Sequence, residues 1–173
     1  MKSYLKIIRV PNLLIIILTQ YLLRICIIGT FYGLNATQPA FGHFDFALLV
    51  LSTLLIAAGG YVINDYFYVD VDKVNKTPGK TFVGKALTQQ VAYLYYWMLT
   101  IAGILIGFYL SFRVKYLMLG FIFAAIAMML WFYSYQYKKS AFWGNFVIAL
   151  LSAMVVLIVW LFEFFALRAN PLN

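Results

Sequence analysis

Residues 46–63 read FALLVLSTLLIAAGGYVI, a run without a charged side chain. A helix that crosses a bilayer needs about 17–25 mostly apolar residues, because each residue rises about 1.5 Å across about 30 Å of hydrocarbon. Three more runs, 91–112, 116–137 and 141–162, also lack charge, and a fifth, 12–30, carries only Arg24. The sequence therefore predicts an all-α integral membrane protein with about five transmembrane helices.

The composition excludes the other broad classes of protein. Hydrophobic residues make up 65% of the chain and charged residues only 10%, against about 45–50% and about 25% in soluble domains. A disordered chain would need low hydrophobicity and high charge, and a disulfide scaffold is excluded because Cys26 is the only cysteine. We expect residues 1–173 to form a single transmembrane domain, whose one long polar connection covers about 65–90.

The net charge of +8 predicts the orientation of the chain. Nine lysines and arginines lie before the first run, after the second or after the fourth, which places them all on one side of the membrane. Three lie on the other side, at Arg113, Lys115 and Arg168. The positive-inside rule places the amino terminus and the aspartate-rich loop in the cytoplasm, in a bacterium at the cytoplasmic membrane. We interpret the excess of basic residues as a determinant of topology and as a means of attraction to anionic lipid, and we expect no nucleic-acid partner.

The stretch from Gly59 reads GGYVINDYFYVDVDKVNKTPGKTFVGK and carries the candidate chemistry. If the second helix continues past Ile63, Asp65 and Asp72 differ by about 700° of rotation and share a face, whereas Asp70 does not. Two carboxylates at a membrane mouth suit Mg²⁺, which completes its shell with water and phosphate oxygens. The lysines that follow could neutralise the same phosphates: Lys76, Lys80 and Lys85.

Spacing alone leaves an alternative open. The same loop could be a solvated juxtamembrane segment whose lysines bind anionic lipid or a partner. The chain would then be a non-catalytic multi-span membrane protein.

Four segments together resemble the UbiA superfamily of intramembrane prenyltransferases. They are IRVPNLLI at 8–15, YVINDYF at 61–67, Asp72 with VNKTPGK, and YSYQYKKSAFWGN at 133–145. The resemblance implies an Asn-Asp-x-x-Asp-x-x-x-Asp motif that binds Mg²⁺ and an isoprenoid diphosphate. It assigns Asn64 and Asp65 to the opening pair, Asp72 to the last aspartate, and Lys76 and Lys80 to basic diphosphate contacts.

The chain departs from the family pattern in two places. Tyr68 replaces the middle aspartate of the motif, and the only acidic residue after Asp72 is Glu163. The family has a second aspartate-rich motif and about nine helices, so we expect this chain to be the amino-terminal part of a prenyltransferase, incomplete or inactive alone.

The resemblance implies transfer of a polyprenyl group from its diphosphate to a lipid or quinone precursor. By general similarity we favour the geranylgeranylglycerol-phosphate type over an aromatic acceptor. We assign Asp65 and Asp72 as catalytic residues and metal ligands. The predicted substrate-binding residues are Asn64, Tyr68, Lys76, Lys80, Lys85, Asn12 and Asn145.

The remaining polar and aromatic residues within the spans allow several interpretations. The resemblance also implies an apolar cavity in which the reaction takes place, and five aromatic residues are candidates to line it: Tyr66, Phe67, Tyr95, Tyr96 and Trp97. Asn12, Gln20 and Asn145 could instead form hydrogen bonds between helices. Arg24 is a functional candidate because it is charged inside a span, although it could also snorkel to the interface or bond a neighbouring carbonyl.

Overall fold

A computed structural model describes residues 7–34, 39–68 and 87–169. Its five long helices are α1 (Val10–Leu34), α2 (His43–Phe67), α3 (Gln89–Arg113), α4 (Met118–Tyr135) and α5 (Ala141–Ala169). Each is long and apolar enough to cross a membrane. The predicted all-α membrane fold with five spanning helices is confirmed.

Most of the helices run beyond the apolar stretches that predict them. α2 begins at His43 and ends at Phe67, and α5 continues to Ala169. A helix needs satisfied backbone hydrogen bonds rather than apolar side chains, so it continues into the polar flanks until a cap ends it. At the start of α3, for example, the Thr88 hydroxyl accepts a hydrogen bond from the backbone N–H of Val91 at 3.3 Å.

α2 is the central helix of the bundle. Its most apolar window is 56% buried, against 22–28% for the other four helices. Small residues let α3 approach it closely: a Cβ atom at Gly103 would lie 3.0 Å from the carbonyl oxygen of Ser52. The Ser52 hydroxyl donates a hydrogen bond of 2.7 Å to the Gly103 carbonyl. Small residues and hydroxyls are the usual means of packing helices in a membrane.

A buried ion pair joins α1 to α5 at the end of the bundle where α2 begins. Arg24, in the π-helical turn Leu23–Ile28 of α1, lies 3.8 Å from the Glu163 carboxylate, and both side chains are 6% exposed. Arg24 also donates to the carbonyl oxygen of Phe41. The Glu163 carboxylate accepts hydrogen bonds from the Tyr32 hydroxyl at 2.8 Å and from the Ala40 N–H at 2.7 Å. Of the readings that the sequence left open for Arg24, bonding to a neighbouring carbonyl is the one that the structure supports, together with an ion pair that the sequence did not indicate.

Candidate functional site

A cavity of about 550 Å³ lies between α1, α2, α4 and α5. Most of its lining is aliphatic, and α3 contributes no lining residue. The lining residues of α2 and α4 are buried or half-buried, whereas Ile15 on α1 and Ile148 on α5 are 62% and 42% exposed. The cavity is therefore walled by the core on one side and opens between α1 and α5 on the other.

The one charged side chain of the lining and most of its larger polar side chains gather at one end. They are Arg9, Asn12, Tyr61, Asn64 and Tyr133, whereas deeper in the cavity the polar lining is limited to the hydroxyls of Thr19, Thr53 and Ser152. At this end α1 and α5 begin and α2 and α4 finish. We call this end the mouth, and the opposite end of the cavity the floor. An elongated ligand with one charged end would meet polar groups at the mouth and hydrocarbon below it.

An exposed ion pair stands on one side of the mouth. Arg9 Nη2 lies 3.0 Å from Asp65 Oδ1, and the side chains are 43% and 17% exposed. The Arg9 guanidinium also lies 5.2 Å from the centroid of the Tyr61 ring. Arg9 itself adopts a left-handed backbone conformation with φ 53°, and its carbonyl accepts a hydrogen bond of 2.8 Å from the Asn12 N–H. Such conformations are uncommon for residues with a side chain and gather at binding sites.

Lys138 stands on the other side of the mouth, in the short 3₁₀ turn between α4 and α5. Its Nζ donates a hydrogen bond of 2.9 Å to Asn64 Oδ1 and lies 3.3 Å from the centroid of the Tyr68 ring. A cation at the carboxyl end of α2 is also favoured by the helix dipole. The sequence predicts for Lys138 only a contribution to the topology. The available signal was its place within the quoted segment at 133–145.

The structure places some of the predicted site residues together and leaves others aside. Asn12 and Asn64 line the cavity, Asp65 pairs with Arg9 beside it, and Tyr68 directly follows α2. Asn145 is exposed on α5 and is not among the lining residues. Four predicted site residues lie outside the described residues: Asp72, Lys76, Lys80 and Lys85. Because Asp72 lies outside the described residues, the shared face of Asp65 and Asp72 stays a prediction.

The prediction that aromatic side chains of α2 and α3 line the cavity is wrong. None of Tyr66, Phe67, Tyr95, Tyr96 and Trp97 is a lining residue. Most of these rings pack on the other side of α2, where Tyr66 lies 5.5 Å from Tyr93 and Phe67 lies 5.8 Å from Trp131, centroid to centroid. The aromatic lining comes instead from Tyr61, Phe123 and Tyr133.

The donors at the mouth fit part of a magnesium site. The Asp65 carboxylate and the Asn64 amide oxygen are hard oxygen ligands of the kind that Mg²⁺ takes. Within 7–34, 39–68 and 87–169, no three His, Cys, Asp or Glu residues gather closely enough to hold a metal. Mg²⁺ commonly needs only one or two protein carboxylates when phosphate and water supply the rest.

Comparison with known proteins gives a consistent result. The UbiA prenyltransferase family matches residues 24–167. A digeranylgeranylglyceryl phosphate synthase of Sulfolobus acidocaldarius is 34% identical over 154 residues, which are 88% of this chain and 50% of that protein. A protein of the same name from Thermococcus sibiricus is 31% identical over 75% of this chain and 46% of its own length.

A solved structure shows the same fold. It is described as "Structural and mechanistic insights into the biosynthesis of Digeranylgeranylglyceryl phosphate synthase in membranes" and matches with a TM-score of 0.71 at 25% identity. The match covers 93% of this chain and 52% of the other. The chain thus spans about half the length of the relatives that it resembles.

Proposed function

Because the chain belongs to the UbiA prenyltransferase family, we propose that it supplies the donor-binding half of a site that transfers a prenyl group from its diphosphate to a lipid acceptor. The observation that carries the proposal is the apolar cavity with charged groups only at its mouth. A prenyl diphosphate has the same division, with an apolar tail and an anionic head.

The head of the donor would lie at the mouth. Arg9 and Lys138 are cations that can pair with phosphate oxygens, and charge-assisted hydrogen bonds of this kind are the strong ones. We propose that Asp65 and Asp72 hold Mg²⁺, with Asn64 beside them. Three lysines of the polar connection, Lys76, Lys80 and Lys85, would add positive charge to the same site. Bound Mg²⁺ would supply neutralisation of the diphosphate.

The chain's own residues would promote departure of the diphosphate and protect the reacting carbon. The bond between the first carbon of the tail and the diphosphate oxygen breaks, and the diphosphate leaves with the electron pair. Arg9 and Lys138 stabilise the charge that develops on it. The aliphatic walls exclude water, so the acceptor oxygen attacks the carbon, and its proton passes to an oxygen of the released diphosphate. Tyr61 and Tyr133, whose rings line the mouth, could stabilise positive charge on the tail.

We propose an isoprenoid glycerol phosphate as the acceptor. The support is that the relatives are named digeranylgeranylglyceryl phosphate synthases. The mouth would face the cytoplasm, since nine of the basic residues lie on its side of the membrane. The family match does not favour the alternative of a non-catalytic protein that binds anionic lipid or a partner.

Binding of geranylgeranyl diphosphate to the purified chain in lipid nanodiscs tests the proposal. We expect saturable binding that EDTA abolishes, and an affinity roughly tenfold or more weaker in Asp65→Asn, because a charged partner contributes about 1.5–3 kcal/mol. Asp45→Asn is the matched control, since Asp45 pairs with Arg113 at the opposite end of α2.

Two outcomes would refute the proposal. One is the absence of any binding by the wild-type chain. The other is binding that salt weakens and EDTA leaves unchanged, which is the behaviour of a basic surface on anionic lipid.

A further inference from the structure

We propose that the floor of the cavity limits the length of the isoprenoid tail, and that Phe123 is the residue that sets the limit. The proposal rests on the proposed function, because it concerns the tail of the same donor. It concerns a different part of the molecule, however, because no charged residue of the mouth takes part.

The lining residues end at the same level on neighbouring helices. On α4 they follow one face from Tyr133 through Leu130 and Ile126 to Phe123. The next residue on that face, Leu119, is 3% exposed and does not line the cavity. On α5 the lining ends at Ile158, and one turn further Phe162 is fully buried.

Phe123 is a rigid stop. Its ring lies against the backbone of α3, where a Cβ atom at Gly107 would overlap it. On another side it meets the Phe162 ring in an edge contact, with 5.8 Å between the centroids. The side chain is 1% exposed. A ring held in this way cannot swing aside for a longer tail, because cores at native density leave little free space.

A hydrogen-bonded bridge joins three helices in the lower part of the cavity. Gln20 of α1 is fully buried and donates to the Thr53 hydroxyl of α2 at 3.3 Å and to the Val155 carbonyl of α5 at 3.1 Å. It therefore ties three of the four cavity helices at one level. A tail that follows α1 and α2 meets the bridge at this level, whereas along α5 the lining continues about one turn further, to Ile158.

The depth of the cavity corresponds to a short isoprenoid. Asn64 at the mouth and Thr53 at the floor are both lining residues of α2, and the eleven residues between these levels rise about 16 Å at about 1.5 Å each. An isoprene unit adds four chain bonds of about 1.5 Å, or roughly 5 Å when extended. About three extended units fit, and a fourth fits if the tail bends within the 550 Å³. A fifth would have to leave through the opening between α1 and α5.

The test measures affinity against tail length in nanodiscs with Mg²⁺, using geranyl, farnesyl, geranylgeranyl and geranylfarnesyl diphosphates. Phe123→Ala removes the stop. Ala57→Leu adds bulk to the lining about 10 Å below Asn64, counted along α2. Phe121→Ala is the matched control, because Phe121 lies on the same helix but is 58% exposed and does not line the cavity.

We expect binding to the wild type to tighten roughly tenfold or more per added unit, up to geranylgeranyl, and no further. In Phe123→Ala the geranylfarnesyl compound should gain a similar factor. In Ala57→Leu the gain should end at a shorter tail, and Phe121→Ala should match the wild type. If Phe123→Ala does not fold, Ala57→Leu decides the question.

The results separate this inference from the proposed function. If no prenyl diphosphate binds the wild type, the proposed function fails and the inference falls with it. The inference is overturned, and the proposed function stands, if all four compounds bind with an affinity that does not depend on tail length. The same conclusion follows if the affinity stops increasing at the same tail length in Phe123→Ala and in Ala57→Leu.

Discussion

Replacing Arg24 by methionine should destabilise the bundle strongly, because it leaves the Glu163 carboxylate buried without its charged partner. The two side chains are 6% exposed, and the atoms that face each other are 3.8 Å apart. Breaking a buried pair by removing one partner costs about 3–5 kcal/mol, whereas an exposed pair contributes about 0–1 kcal/mol. The burial of the ion pair, more than the number of its contacts, determines the expected loss of stability.

The matched control lies at the same end of the bundle. Arg113 pairs with Asp45 at 3.0 Å, closer than Arg24 pairs with Glu163, but the Arg113 side chain is 53% exposed. Its partner Asp45 is 11% exposed, so the pair is half-buried, and Arg113→Met should reduce the free energy of unfolding by less than Arg24→Met does because water can reach the place of the lost guanidinium. The free energy can be measured in mixed micelles by titration with SDS, followed through the fluorescence of the four tryptophans.

A double-mutant cycle with Glu163→Gln tests the pairing itself. The glutamine keeps an oxygen for the Tyr32 and Ala40 donors but removes the charge, so the double variant should be less destabilised than the sum of the two single changes. The reasoning is refuted if the effects add to within about 0.5 kcal/mol. It is also refuted if Arg24→Met destabilises no more than Arg113→Met does.

Three further predictions concern the mouth, the α2–α3 contact and the floor. Lys138→Met should weaken geranylgeranyl diphosphate binding roughly tenfold or more while Lys138→Arg keeps most of it, since a hydrogen bond to a charged group contributes about 1.5–3 kcal/mol; equal affinities in the nanodisc assay would contradict this. Gly103→Ala should lower the free energy of unfolding by about 1–3 kcal/mol through overpacking. Gly33→Ala is the control and should leave the free energy unchanged, because an added Cβ there meets nothing within 4 Å. The SDS titration compares the two variants. Gln20→Met should lower the free energy of unfolding by about 1 kcal/mol in the same titration, because two interhelical hydrogen bonds are lost at about 0.6 kcal/mol each. An unchanged midpoint of the titration would count against the bridge.

The spans could be predicted from the sequence because the bilayer imposes both a length and an absence of charge. The run at 46–63 satisfies both conditions, and α2 covers it in full. The helix ends were less predictable. α2 continues through Asn64 and Asp65 to Phe67 because backbone hydrogen bonds continue wherever no cap intervenes.

The faces of the helices could not be predicted in the same way. An apolar stripe identifies the buried face of a helix only when the opposite face is polar. In a membrane both faces are apolar, so the sequence does not separate Tyr61, which lines the cavity, from Tyr66, which packs against α3. This is why the prediction of the aromatic lining was wrong.

Long-range pairs account for the rest of what the sequence missed. Asn64 is part of a recognisable motif, but its partner Lys138 lies 74 residues away. Arg24 and Glu163 are farther apart still and lie in segments that resemble no charge motif. Contacts of this kind depend on which helices become neighbours, and that is decided by packing rather than by local pattern.

The two ends of the cavity differ in how readily their contacts can be exchanged. At the mouth, the Arg9 side chain is 43% exposed, so water already screens its pair with Asp65 and an incoming phosphate can replace the carboxylate at little cost. At the floor, Gln20 and Phe123 are buried, and displacing either leaves polar groups unpaired or opens a void. A donor can therefore rearrange the mouth while it leaves the floor unchanged. This difference predicts that substitutions at Arg9 alter the affinity for every prenyl diphosphate alike, whereas substitutions at Phe123 alter the preference among tail lengths.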